Sequence, residues 1–173
     1  SRIIGGDTAN SPLTIEGVGG TGSGSYNRGL WIQGDNTTVS SSGGNVTIAG
    51  FGGGSGSGEF NTGIVVVVNT VITAGGSGIV TVQGTGGSSA GSHQRGVFVG
   101  GTITSSGGNV TVTGGGGGTG SSAHNFGVLV NHGGTVTAGG TGSVTVTGTG
   151  GGGAGNNNYG VNVVHADSQI TSS

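Results

Sequence analysis

Nine side chains of the sequence have the chemistry for acid–base catalysis or metal binding. They are five carboxylates and four imidazoles: Asp7, Glu16, Asp35, Glu59, Asp167, His93, His124, His132 and His165. Carboxylates that hydrolyse a glycosidic bond act in pairs that reach the same substrate. The acids here follow no common spacing and fall in different parts of the chain. We therefore predict that the protein is not an enzyme.

The histidines are equally dispersed, so a metal centre is not expected. His93 and His124 hold equivalent positions in successive repeats, whereas His132 and His165 lie elsewhere. Two imidazoles alone make a poor metal site. The acidic repeat pattern of calcium-binding solenoids is also absent from the sequence. We predict no metal and no cofactor, and we interpret the histidines as exposed polar residues of a ladder.

Composition excludes further functional classes. Glycine supplies 49 of 173 residues, charged residues only 5%, and the formal net charge is −2. Lysine is absent and the cations are Arg2, Arg28 and Arg95, so the sequence offers no basic patch for nucleic acid. The longest apolar run, residues 64–68, is too short to span a membrane. The chain begins with Ser and carries no signal peptide, which predicts a processed product or a piece of a longer protein.

A repeated unit organises the chain. Each unit opens with a glycine, and the intervals between these glycines are 34, 33, 31 and 33 residues: Gly29, Gly63, Gly96, Gly127 and Gly160. Every unit then has the same order, which is a V-x-V strand, a turn, a T-[VI]-T strand, a Gly/Ser turn, a V-T-[VI] strand and a long glycine loop. The loop ends in an aromatic residue, His or Asn and then Asn or Gln.

One such unit cannot bury its own apolar side chains, so it must stack on copies of itself. The sequence therefore predicts an all-β fold, a three-faced parallel β-helix (β-solenoid) of about five coils with one glycine-rich loop per coil. Residues 1–173 form one domain, with repeats 29–62, 63–95, 96–126 and 127–159 between the partial repeats 1–28 and 160–173. A β-sandwich is the alternative, because short strands at regular spacing also occur there. The constant order of strands, turn and loop favours the solenoid.

Alternation of side chains predicts which positions face the core. First strands are expected at 30–32, 64–66, 97–99, 128–130 and 161–163, second strands at 38–40, 71–73, 102–104, 135–137 and 169–171, and third strands at 13–15, 46–48, 80–82, 110–112 and 144–146. The outer two residues of the first and third strands point inward. In the second strand only the middle residue does.

Two outward columns could carry a function. The middle residues of four first strands predict a contiguous apolar stripe that contacts a lateral partner, stacks on carbohydrate or is covered by the protein's own loop: Trp31, Val65, Phe98 and Leu129. The third strands present an outward threonine ladder: Thr14, Thr47, Thr81, Thr111 and Thr145. Regular threonine arrays resemble those of certain antifreeze proteins, so ice binding is a remote alternative. Threonine is also simply a good polar strand former.

The sequence pattern "GNVTVTG…NNYGVxV" resembles the repetitive regions of large secreted bacterial surface proteins, of the filamentous-haemagglutinin and autotransporter-passenger kind. The resemblance covers nearly the whole chain and is compositional. It implies a β-solenoid, an extracellular or cell-surface location in a bacterium, and an adhesive or scaffolding role. It transfers no catalytic residue.

The two partial repeats suggest how the protein functions. Residues 1–28 supply second and third strands without a first, and residues 160–173 supply first and second strands without a third. The two ends are therefore predicted to be complementary half-coils, and uncapped solenoid ends polymerise. We therefore predict a structural subunit or segment of an extracellular fibre that assembles head to tail with itself. The end-to-end interface would comprise Ile3, Ile4, Leu13, Ile15, Val161, Val163 and Ile170.

The alternative function is an adhesin stalk or binding module that presents the aromatic stripe or the loops to glycans. Three sequons are also present, at Asn36, Asn45 and Asn109, and would accept N-linked glycans in a suitable host. The repeated N-V-T is more simply explained by the chemistry of a turn followed by a strand.

Overall fold

Three parallel sheets, one for each strand of the repeat, build the fold. In the computed structural model, which describes residues 1–5 and 10–172, sixteen strands are present and the described residues form no helix. The first-strand sheet contains β3 (Leu30–Ile32), β6 (Ile64–Val66), β9 (Val97–Val99), β12 (Val128–Val130) and β15 (Val161–Val163). The second-strand sheet contains β1 (Arg2–Ile4), β4 (Thr37–Ser41), β7 (Thr70–Ala74), β10 (Thr102–Ser105), β13 (Thr135–Ala138) and β16 (Gln169–Ser172). The third-strand sheet contains β2 (Leu13–Val18), β5 (Val46–Phe51), β8 (Val80–Thr85), β11 (Val110–Gly115) and β14 (Val144–Thr149).

Each strand pairs in parallel with its equivalents in the adjacent coils. Val46 lies beside Val80 and Val80 beside Val110, so a residue contacts its own counterparts one repeat away. This pairing confirms the predicted β-solenoid of about five turns with a spacing of about 33 residues. The β-sandwich alternative is wrong, because every strand pair is parallel and joins successive repeats.

The core is a narrow column of β-branched side chains. The inward residues of the middle coils, such as Ile48, Ile72 and Val97, are completely buried. These are the positions that alternation predicts, and one coil alone could not exclude water from them. Burying a side chain of this size stabilises the fold by roughly 1.5–3 kcal/mol. The stacking of coils along the solenoid axis is therefore the source of most of the apolar burial.

The third strands are longer than predicted. Each runs for six residues instead of three and passes through a glycine at its fifth position: Gly17, Gly50, Gly84, Gly114 and Gly148. A Cβ atom on Gly84 would lie 2.3 Å from the carbonyl oxygen of Gly96. At this corner the glycine leaves no side chain between the two sheets. The third-strand sheet and the start of the first-strand sheet therefore contact each other through backbone atoms.

The glycine-rich loops extend this corner as a hydrogen-bonded ladder. In the run Gly114–Gly118, the N–H groups of Gly116, Gly117 and Gly118 donate to carbonyl oxygens of Thr149, Gln94 and Gly87 at 2.7–2.8 Å. Only Gly118 in this run has a positive φ, of 83°. Close backbone approach, more than turn geometry, thus accounts for glycine here.

Two neighbouring glycines of this run test the close approach. A Cβ on Gly114 would lie 2.1 Å from the Gly127 carbonyl oxygen, whereas a Cβ on Gly115 would meet nothing within 4 Å. We expect Gly114→Ala to lower the free energy of unfolding by at least about 2 kcal/mol, because a paired backbone cannot shift away. Gly115→Ala is the matched control and should change it by less than about 0.5 kcal/mol. Urea unfolding followed by circular dichroism measures both, and equal effects would contradict the argument.

Candidate functional site

Six of the seven Phe, Tyr and Trp residues lie on one corner of the solenoid, where the glycine loop meets the first strand. We call this surface the aromatic–arginine face. Each coil contributes to it three outward positions, namely the third and the first residue before the opening glycine, and the middle residue of the first strand. The columns are Tyr26, Phe60, His93, His124 and Asn157; Arg28, Thr62, Arg95, Phe126 and Tyr159; and Trp31, Val65, Phe98, Leu129 and Asn162.

The first of these columns consists of left-handed residues. All five have φ values between 57° and 65°. This conformation costs a non-glycine residue about 1 kcal/mol or more. It also turns the chain sharply and aligns the side chains of successive coils. Stacking of the rings offsets part of this cost.

The stack is continuous over four coils. Ring centroids are 5.3 Å apart for Tyr26 and Phe60, 4.4 Å for Phe60 and His93, and 5.2 Å for His93 and His124, and the ring planes are within 11° of parallel. Both faces of Phe60 and His93 are therefore occupied by neighbouring rings, whereas Tyr26 and His124, at the ends of the stack, have one face occupied. Their edges, which carry the positive end of the ring quadrupole, remain for outside contacts.

The two arginines lie between the columns, over aromatic rings. The Arg28 guanidinium carbon is 4.8 Å from the centroid of Tyr26 and 4.2 Å from that of Trp31. The Arg95 carbon is 5.5 Å from the centroid of Phe98 and 5.9 Å from that of Phe60. Both Nε atoms are buried without a hydrogen-bond acceptor. Cation–π contact is thus the main interaction of both side chains.

The predicted apolar stripe is in register but is not uniformly exposed. Trp31 is 53% exposed and Phe98 is half-buried, whereas Val65 and Leu129 are only 8% and 3% exposed. Two of the four outward positions are therefore covered: Trp31 and Phe98 flank Val65 in the adjacent coils, and Phe98 flanks Leu129. Charged and aromatic groups replace the expected apolar strip.

Sequence reasoning missed Arg28, Arg95, Tyr26, Phe60 and Phe126 as a surface. A signal was present, since these residues recur immediately before the Asn or Gln, or between it and the opening glycine of the next unit. The repeat alignment shows the positions. It does not show that a left-handed backbone turns them toward the first-strand column.

His93 is half-buried, and its environment keeps it neutral. Burial, followed by repulsion from Arg95 and His124, lowers the pKa of His93 to about 4, and Glu59 opposes this shift only weakly. The expected stacking of His93 on His124 is present, but the expected exposure of these two rings is wrong, because both are half-buried. The imidazole of His93 therefore adds no charge to the ring stack at neutral pH.

Buried amides form a second ladder behind the rings. The Oδ1 atom of Asn61 accepts from the Asn27 N–H at 2.8 Å, that of Asn125 from the Gln94 N–H at 2.9 Å, and that of Asn158 from the Asn125 N–H at 2.9 Å. Gln94 breaks the series, since its Oε1 atom is buried without a partner. Its amide group still donates to the Gly91 carbonyl, as asparagines elsewhere in the ladder donate three residues back.

The threonine ladder lies in register along the third-strand sheet, and all five residues are exposed or half-buried. On the second-strand sheet, complete T-x-T pairs occur at Thr102/Thr104 and Thr135/Thr137, while Val71 and Gln169 occupy equivalent positions in other coils. The array of complete T-x-T pairs that could contact ice therefore extends over only two coils of the second-strand sheet.

The sequon asparagines are all exposed. The Oδ1 atoms of Asn45 and Asn109 accept hydrogen bonds from the Ile79 and Ser143 N–H groups one coil away, at 3.0 and 2.9 Å. This contact supports the interpretation of N-V-T as turn-then-strand chemistry. It uses the amide oxygen and leaves the nitrogen, to which a glycan would be attached, available.

The structure places the four described acids in different regions of the coils. Glu16 is on the third-strand sheet, Glu59 in a glycine loop, and Asp35 and Asp167 in turns between first and second strands. Asp7 lies outside the described residues. Within residues 1–5 and 10–172, no group of three or more His, Asp or Glu side chains is placed to hold a metal ion.

Comparison of the chain with protein-family models, curated proteins and solved structures gives no match. The described part of the chain also contains no helix that is long and apolar enough to cross a membrane. The surfaces and the ends of the solenoid are therefore the features that bear on its function.

The amide ladder gives a prediction about stability. Gln94→Asn shortens the side chain to the length used in the other coils, so that its oxygen can accept the Asn61 N–H. We expect the free energy of unfolding to rise by about 1 kcal/mol. Asn125→Gln is the matched control, because it adds a second defect of the same kind one coil along and should destabilise the protein by a similar amount. Thermal unfolding monitors both, and a less stable Gln94→Asn variant would contradict the ladder argument.

The lowered pKa of His93 predicts a dependence of stability on pH. Below about pH 6.5 the unfolded chain binds a proton that the folded chain does not accept until about pH 4. Stability should therefore fall as the pH decreases through this window. Because the ring is half exposed, the loss should be on the order of 1 kcal/mol. His93→Phe should reduce this loss, while His132→Phe should leave it unchanged in urea titrations between pH 7 and pH 4; equal curves for wild type and His93→Phe would contradict it.

Proposed function

We propose that the chain is a structural subunit or segment of an extracellular fibre, in which β-solenoids continue one another end to end. One observation carries this proposal. The core column that is fully buried in the middle coils is open at both ends of the described solenoid. Ile3 is 49% exposed at one end, and Val161, Val163 and Ile170 are 36–44% exposed at the other.

All three sheets also end on strand edges. At one end these are β1, β2 and β3, and at the other β14, β15 and β16. Among the described residues, no segment pairs with the outer edges of these strands. Open edges with exposed apolar columns favour the addition of further parallel strands. Contact between opposite ends is heterologous and does not close, so it generates a filament.

The two ends are not perfect complements, contrary to the sequence prediction. The second-strand sheet has six strands and the other two sheets have five. Stacking β2 of one copy on β14 of another, and β3 on β15, leaves one position in the second-strand sheet for two strands. These are β16 of the copy that contributes β14 and β15, and β1 of the copy that contributes β2 and β3.

Strand β16 suits that position better than β1. It forms four residue pairs with its neighbour instead of three. Its Thr171 extends an outward column of serine and threonine, at a position where β1 has Ile4. Assembly therefore proceeds by replacement of β1 with the incoming β16, which pairs with β4.

The extracellular and bacterial setting comes from the resemblance to secreted surface proteins. The alternative of a stalk that binds glycans is favoured by a separate observation, the aromatic–arginine face. Fibre assembly and surface binding are compatible, because they use the ends and one side of the solenoid, respectively.

Assembly is tested on the 173-residue chain by light scattering and electron microscopy. We expect filaments of uniform width and an apparent mass that increases with concentration. Val163→Asp places a charge on the open core column and should prevent assembly, because burying an unpaired charge at each junction is costly. Asn162→Asp adds the same charge to the outward face of the same strand and should still assemble. A wild-type chain that stays monomeric at high concentration would refute the proposal.

Cross-linking tests the strand replacement in the cysteine-free background. Ser40 and Thr171 lie four strand spacings apart within one chain, about 19 Å, which is too far for a disulfide. Replacement of β1 by β16 brings them side by side in different copies. We expect Ser40→Cys/Thr171→Cys to form intermolecular disulfides in filaments. The pair Ile4→Cys/Thr137→Cys is the control for the opposite arrangement, in which β1 replaces β16, and its preferential cross-linking would contradict the proposed order.

A further inference from the structure

The aromatic–arginine face combines two arginines with a ring stack whose inner members, Phe60 and His93, are covered on both faces. Within the described chain, no carboxylate or carbonyl oxygen accepts a hydrogen bond from either guanidinium. The influences on the pKa of Arg95 are burial and repulsion from Arg28, which together lower it to about 10. For Arg28 they are burial, which lowers its pKa, and the opposing effect of Tyr26. No carboxylate of the described chain contributes to either shift.

Each guanidinium carries five N–H donors in a planar fork that matches carboxylate and sulfate oxygens. Both Nε atoms are buried, so the terminal N–H groups are the donors that a ligand would reach, and the aromatic contacts hold the guanidinium carbons 4.2–5.5 Å from ring centroids without using these donors. A preorganised cation with unused donors is suited to an anionic ligand, and the edges of the stacked rings add weak positive character around it.

The spacing of the arginines indicates the form of the ligand. Arg28 and Arg95 precede the opening glycines of coils that are two turns apart, a separation of about 10 Å along the axis. Thr62 occupies the equivalent position in the coil between them and is 2% exposed. The face thus presents two charges in line with the solenoid axis. The buried, uncharged side chain of Thr62 lies between them.

Ring geometry decides between the classes of extended ligand. Neutral sugars and nucleic-acid bases bind aromatic side chains through open ring faces. The faces of Phe60 and His93 are stacked on each other, and the Arg28 guanidinium lies over Trp31. Nucleic acid would also need a denser array of cations than the three arginines of this chain. These observations favour charge recognition over stacking.

We propose that the aromatic–arginine face binds a linear acidic polysaccharide, which lies along the solenoid axis and places carboxylate or sulfate groups on Arg28 and Arg95. The inference specifies the ligand of the binding-module alternative and does not depend on end-to-end assembly. In a filament the face would recur with every copy, so that weak individual contacts would add up along one polysaccharide chain.

Binding is measured with the full chain by calorimetry, using polygalacturonate and chondroitin sulfate oligosaccharides as probes and neutral dextran as the reference. We expect both acidic probes to bind, with affinity that falls as salt increases, and dextran not to bind. Arg28→Gln/Arg95→Gln should weaken binding at least tenfold. Arg2→Gln removes one charge from the second-strand sheet and should change affinity less than twofold.

Further variants separate the possible causes of a loss of binding. Arg28→Lys/Arg95→Lys keeps the charge but loses the planar fork, so it should bind more weakly than wild type and more tightly than the glutamine variant. Circular dichroism checks that each variant retains β structure. Repeating the titrations with Val163→Asp, which blocks assembly, distinguishes a failure of binding from a failure of the fibre proposal.

Four outcomes would overturn the inference. They are absence of binding to both acidic probes, equal loss with Arg2→Gln, equal binding of dextran that Trp31→Ser/Phe98→Ser abolishes, and tighter binding of an oligothymidine than of the acidic sugars. The second outcome would indicate unspecific attraction of charge. The third and fourth would indicate a neutral glycan and a single-stranded nucleic acid, respectively.

Discussion

Coil-on-coil registration is the constraint on which the rest of the structure depends. Each strand residue lies about 4.8 Å from its counterparts in the neighbouring coils, because parallel strands of successive repeats pair without offset. A side chain is therefore surrounded mainly by residues of its own column. A column that is favourable once is favourable at every coil, and an unfavourable one is penalised repeatedly. The valine and isoleucine columns close the core in this way, and the glycine column that includes Gly84 and Gly114 permits the backbones to meet at the tapered corner.

The same rule explains how polar and strained positions are tolerated. Asn61, Gln94 and Asn125 are fully buried, yet the asparagines satisfy their oxygens with N–H groups one coil away. The residues preceding them adopt left-handed backbone, where glycine would cost least, but they are aromatic or His in four coils. Stacking along the column stabilises the ring in each coil with the rings above and below. Gln94 is the exception in this amide ladder, because its extra methylene leaves the Oε1 atom without a hydrogen-bond partner.

Registration also determines what the sequence reveals. The first strands, the inward residue of the second strands and the inward residues of the third strands follow directly from the repeat, because period and alternation fix them. The exposure of Val65 and Leu129 does not follow, since it depends on the size of side chains in adjacent coils and in the neighbouring outward column. The positions of Arg28 and Arg95 over aromatic rings depend on the left-handed residues near the loop end, which no alternation pattern encodes. The length of the third strands was missed because glycine usually ends a strand, whereas here it continues one.

The columns that vary are the ones free to carry a specific function. Positions that keep the same residue type in every coil serve the stacking of coils. Side chains that recognise a ligand must therefore lie in columns whose residue changes from coil to coil. The residue before the opening glycine does so, as Arg28, Thr62, Arg95, Phe126 and Tyr159. Two arginines in adjacent coils would repel each other by up to a few kcal/mol at a separation near 4.8 Å in a partly buried setting. Placing Thr62 between them doubles the distance, and the pKa of Arg95 is then lowered mainly by burial, with a smaller contribution from repulsion by Arg28. The alternation of charged and uncharged residues is therefore the arrangement by which a stacked fold can hold two cations on one face without an acid beside them.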